Sequence, residues 1–109
     1  MALLKPPAIT AVRAAALKQE LDRHVQECKS IGYNPTIYQQ LRINHGDQGA
    51  IIHLVNSGKI DSGFEKLWRL NRLDLTCEAT VIKFKDCFDK QTITAAENLL
   101  MGAEVSTPK

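Results

Sequence analysis

At 109 residues the chain can form one domain with its own core, and not two ordinary ones. Its content of 44% hydrophobic and 24% charged residues excludes a disordered chain. With 14 basic against 12 acidic side chains, the formal charge of +2 is too even to attract nucleic acid or an acidic membrane by charge alone.

Helix signals run from end to end. After Pro6-Pro7, the apolar positions Ala14, Leu17, Leu21, Val25, Cys28 and Ile31 recur every three or four residues, the stripe of a long amphipathic helix. Taken from Ala8 to Ile31, that helix would be about 36 Å long at the α-helical rise. Gly32 supplies its left-handed stop. Asn34 is placed to cap a second helix, with Pro35 at its first position and Tyr33 and Tyr38 as a hydrophobic staple. That helix should end at His45-Gly46, and Asp47 should cap a third that turns Ala50, Ile51, Leu54 and Val55 inward before Gly58. Ser62 and Glu65 have capping-box spacing for a fourth through Leu70, with Phe64, Leu67 and Trp68 on its apolar side.

Asn71 follows where a left-handed residue is expected. Asp74 is placed to cap a fifth, short helix from Leu75 to about Lys83, with a strand over 76–84 as the alternative raised by Thr80, Val81 and Ile82. Asp89 caps a last helix, Phe88 staples to Ile93, and Ala96 and Leu100 continue the buried stripe to a stop at Gly102. The expected fold is all-α: one domain over 8–103 with five to six helices, the long first one packed across several short ones. Residues 1–7 read as an extension and 104–109 as a tail.

No apolar run approaches the roughly 20 residues that span a bilayer, so no membrane partner is expected. Met1–Pro7 lacks the apolar core of a secretion signal. Cys28, Cys77 and Cys87 are odd in number and lack CxxC spacing, which favours a reducing, cytoplasmic setting over a disulfide framework.

Tyr33-Asn34-Pro35-Thr36, His45-Gly46, Gly63-Phe64 with Leu67-Trp68, and Arg72-Leu73-Asp74-Leu75-Thr76 with Glu78 occur in an order that resembles a small bacterial helical family. Its members share an Asn-Pro helix start and a Gly-Arg-Leu-Asp-Leu-Thr-x-Glu turn. The resemblance covers roughly Tyr33 to Leu100 and implies the helical fold, with no activity to carry over. Asn71 stands where the family has glycine, and Gly49 where it prefers a helix former.

Asp74 and Glu78 are the best paired-carboxylate candidate, being four apart on one expected helix, with Arg69 and Arg72 near enough to neutralise them. The structural alternative makes Asp74 a cap and places Glu78 at the positive helix end. His24 and Cys28 share a face, but a closed zinc site needs a second close pair. Cys77 and Cys87 are ten apart and His45 and His53 eight apart, so no metal or other cofactor is expected. Cys28 then reads as a small buried hydrophobe and His24 as a rim residue. Cys77, in the first turns of a helix, lacks a base nearby in sequence.

The corner at 34–56 has the outline of a helix-turn-helix that would present Gln48, His53, Asn56 and Lys59, of which only Lys59 is firmly positive. The expected role is therefore non-enzymatic: binding or adaptor activity through a helical surface toward a protein partner. Nucleic-acid binding through 34–56 is the alternative. Close-packing alanines at the start of the first helix suggest a homodimer. Asp74, Glu78, Arg69, Arg72, His45 and His53 are the surface or functional candidates.

Overall fold

The structure, a computed structural model, describes residues 8–57 and 62–105, without the side chains at 62, 63 and 103–105. Among them are five α-helices and no strand. These are α1 (Ala11–Ser30), α2 (Thr36–Val55), α3 (Ser62–Arg69), α4 (Cys77–Lys83) and α5 (Lys90–Val105). Short 3-10 turns at Leu73–Leu75 and Lys85–Cys87 flank α4. The expectations at 1–7, Gly58, the Ser62 cap, Lys59 and the last residues of the tail lie outside the described residues or side chains.

Thr10 starts α1, its hydroxyl accepting the Arg13 N–H at 3.1 Å. The helix thus begins later than the alanine run suggested. Its 20 residues give about 30 Å, shorter than the 39 Å long axis of the molecule. Leu17, Leu21, His24, Val25 and Cys28 form its buried stripe, whereas Ala14, expected inside, is exposed. Arg13 ties this end down, reaching Asp86 through two nitrogens at 2.7 and 2.8 Å and lying 4.8 Å over the Phe84 ring.

At the other end, Gly32 is left-handed at φ +88°. Tyr33 N–H bonds Cys28 C=O at 2.8 Å, and Gly32 N–H bonds Lys29 C=O at 3.1 Å. Those two bonds make a Schellman cap, and Tyr33 packs in the cluster that holds Cys28, the apolar contact such caps carry. Asn71 repeats the device for α3 at φ +59°, with Arg72 N–H bonding Leu67 C=O and Asn71 N–H bonding Trp68 C=O.

The Asn34-Pro35 start lies one residue further along than expected. Asn34 Oδ1 accepts the Gln39 side-chain amide, and Pro35 C=O takes the first helical bond from Gln39 N–H. Near its middle α2 breaks at Gly46, φ +77° and ψ 171°, so the expected stop there is a kink between two helical arms. Arg42 spans the break, bonding Asp47 at 2.7 Å and Asp22 of α1 at 2.8 Å.

Thr76, not Asp74, caps α4: its hydroxyl accepts the Ala79 N–H at 3.1 Å. Asp74 is drawn into the preceding turn by the Arg72 fork, with both bonds at 3.0 Å. The segment raised as a strand is helix from Cys77 to Lys83, packed against α2 and α5 with Thr80 and Val81 both buried. Asp89 caps α5 as expected, accepting Thr92 N–H, and that helix runs through Gly102 instead of stopping there.

The main core joins Leu17 and Leu21 to Ile51, Ile52 and Val55, then to Val81, Phe84, Cys87, Phe88 and Ala96. A smaller cluster of Cys28, Leu67 and Leu75 sits under Ile31 and Tyr33. Leu67 anchors α3 there, and Trp68, expected inside, is only half-buried.

Gly46 occupies backbone space that is essentially glycine's alone, so Gly46→Ala should cost about 1–3 kcal/mol in urea unfolding. Thr76→Ala should cost about 1 kcal/mol as a lost cap, and Asp74→Ala less than about 0.5 kcal/mol as a lost surface pair. The reverse order for Thr76 and Asp74 would put the cap back on Asp74.

Candidate functional site

The smaller core cluster is not filled. Beside it the helices enclose an open-mouthed cavity of about 210 Å³. The C-terminal half of α1 contributes His24, Val25 and Cys28. His24 lies three residues after Leu21 and four before Cys28, on the inward stripe. The Gly32 cap then folds the chain back, so Tyr33, Asn34 and Pro35 cross the opening. From α2 come Ile37 and Tyr38, with Leu54 beyond the Gly46 break, while α3 adds Phe64 and Leu67. The cap and first turn of α4 complete the wall with Thr76, Cys77, Glu78 and Thr80, next to Leu75. Exposed Asn34, Thr36 and Ile37 form a rim; buried His24, Val25, Leu67, Leu75 and Thr80 form the floor.

His24 is the polar centre of that floor and is 3% exposed, not the rim residue its sequence context suggested. Its Nε2 lies 3.0 Å from Glu20 Oε2, and its Nδ1 lies 3.4 Å from the Thr80 hydroxyl. Since the carboxylate can only accept, Nε2 carries a proton, and in the neutral ring Nδ1 is left as an acceptor facing the Thr80 hydroxyl. Thr80 has one hydroxyl proton, which Nδ1 shares with the Thr76 C=O at 3.3 Å. Glu20 also takes bonds from Arg23 at 3.1 Å and Lys83 at 3.0 Å.

Burial pushes the His24 pKa below its usual value, against the opposing pull of Glu20, so the neutral ring is favoured. Burial acts the other way on Glu20, but Lys83, Arg23 and His24 outweigh it and hold that carboxyl down at about 2. Desolvation raises the Cys28 thiol and the Tyr38 phenol, keeping both protonated.

The carboxylate pair expected at Asp74 and Glu78 is split. Asp74 is exposed and held by Arg72, while Glu78 is buried in the first turn of α4 and lines the cavity. Arg72 also reaches Glu27 of α1 at 2.7 Å, and Arg69 pairs with Glu65 at 2.8 Å. Arg72 therefore does neutralise Asp74, and Arg69 serves its own helix. His45 and His53, eight apart in sequence, are brought together by the kink and stack with ring centroids 5.7 Å apart, both exposed. No group of three metal-ligating side chains occurs among the described residues.

Two of the four base-reading groups expected at the 34–56 corner, Gln48 and Asn56, bond inside the fold, while His53 is exposed. Gln48 donates to Cys87 C=O at 2.6 Å. Both amide hydrogens of Asn56 are used, on Ile52 C=O and on the Thr92 hydroxyl. No helix among the described residues is long and apolar enough to cross a membrane.

Comparison with protein families, with curated proteins and with solved structures finds no match.

Both members of the Glu20–His24 pair hold fewer protons folded than unfolded. For His24 the stabilisation is complete above its ordinary value of 6.5 and is lost as pH falls below it. For Glu20 it is complete above 4.5 and is lost on the way down to about 2. Urea midpoints should thus fall from about pH 7 to about pH 5, and His24→Gln should flatten that part of the curve. A wild-type midpoint unchanged over this range would contradict a buried neutral His24.

Proposed function

We propose that this chain is a non-enzymatic binding protein whose recognition surface is the helical face bearing the cavity. The cavity carries the reading. Its walls are largely apolar, its rim is exposed, and Ile37 stands at its mouth 62% exposed, an apolar side chain with a ready use as a contact. Two charged groups near it are held in structural pairs: Glu20 by Arg23, Lys83 and His24, and Arg72 by Asp74 and Glu27. Such pairing favours a scaffold over an acid–base site, where a group must be poised to exchange its proton. Nucleic-acid binding through 34–56 has less support, since Gln48 and Asn56 bond internally.

A photo-crosslinking residue placed at Ile37 should give a discrete adduct in cells, which Leu54→Trp should abolish by filling the cavity. The same residue at His53 should give no adduct with DNA. Crosslinks to DNA from His53, with none from Ile37, would transfer the function to the 34–56 corner.

A further inference from the structure

The cavity has a size and a chemistry that narrow what it can hold. An apolar protein cavity of about 150 Å³ is enough for benzene. The 210 Å³ here admits one ring with a small substituent, and not a fused drug-sized molecule. Its polar lining is mostly committed. Thr76 Oγ1 accepts from Ala79 N–H and donates to Leu73 C=O. His24 is bonded through both ring nitrogens, and Tyr33, Cys77 and Glu78 each have a partner within the chain.

Tyr38 differs. Its ring packs against the main core and lies 5.8 Å from the Arg42 guanidinium carbon, yet its hydroxyl makes no hydrogen bond among the described residues. Tyr38 is itself one of the residues that line the cavity. A phenol so placed can donate to a guest or accept from it, with little competition from the surrounding side chains. The lining is mostly apolar, so a charged guest would give up its hydration there with little in return.

From this geometry we infer that the cavity binds a small, neutral, single-ring aromatic molecule carrying one hydroxyl or carbonyl, which hydrogen-bonds Tyr38. The inference rests on the cavity being the recognition site and adds the class of its occupant. The ring replaces water against Val25, Leu54, Leu67 and Leu75, and the polar substituent meets the Tyr38 hydroxyl. Ile37 and Phe64 close over the ring at the mouth.

The test is an amide-detected NMR titration of the whole protein with p-cresol, toluene and benzoate as probes. With p-cresol, saturable shifts should appear at Val25, Tyr38, Leu54 and Leu75. Toluene should bind about five-fold more weakly, the worth of one ordinary hydrogen bond, and benzoate weaker still. Tyr38→Phe should bring p-cresol down to toluene, and Leu54→Trp should remove both. Absence of saturable shifts with p-cresol up to its solubility overturns the inference. Equal binding of benzoate, or p-cresol binding unchanged in Tyr38→Phe, also overturns it. Failure here with the Ile37 adduct intact would reject the aromatic guest and leave the binding face standing.

Discussion

A short helix that must be buried without being apolar sets the terms for this fold. α4 spans only Cys77–Lys83, and Glu78, Thr80 and Val81 are all inside. A helix of seven residues has no stability of its own, so its neighbours must hold it. α5 and α2 do so on two sides with apolar contacts. Towards α1 the contact is polar: Thr80 meets His24, and Glu20 closes the link by drawing in Lys83 from the exposed end of the same helix. Unpaired, the buried Thr80 hydroxyl and His24 ring would each carry a desolvation penalty.

The same arrangement leaves the space beside it unfilled. The second cluster of Cys28, Leu67 and Leu75 is separate from the main core, and His24, Thr76 and Thr80 line the space beside it. The chain crossing from Gly32 to Pro35 covers part of the gap, and the rest is the cavity. Arg72 joins the turn before α4 to Glu27 on α1. Protein interiors are normally packed to crystal density, so a space of this size beside an open rim distinguishes this region from the main core.

What the sequence disclosed follows from how far each interaction reaches. Gly32, Asn71 and Asp89 were readable as helix ends because a cap is made with residues two to five away. Gly46 was readable as a break for the same reason. Asp74 was misread because Thr76, two residues on, is also a capping residue, and the choice between them was decided by Arg72. Trp68 was misplaced because Leu67, its neighbour, took the inward position. His24 was read as a rim residue although it lies on the stripe made by Leu21, Val25 and Cys28, because histidine is polar. Its acceptor role was not legible, since Thr80 lies 56 residues away. The cavity draws on four helices and the turns between them, and no local pattern announces it.

The claim on which this account turns is that His24 is a buried, neutral imidazole joining α1 to α4. Long-range proton–nitrogen correlation of the histidine side chains, followed through an acid titration, measures this directly. The account predicts that the His24 ring carries its proton on Nε2, accepts at Nδ1, and stays neutral below the ordinary histidine midpoint. A ring protonated on Nδ1, or one that titrates at or above that midpoint, would contradict it.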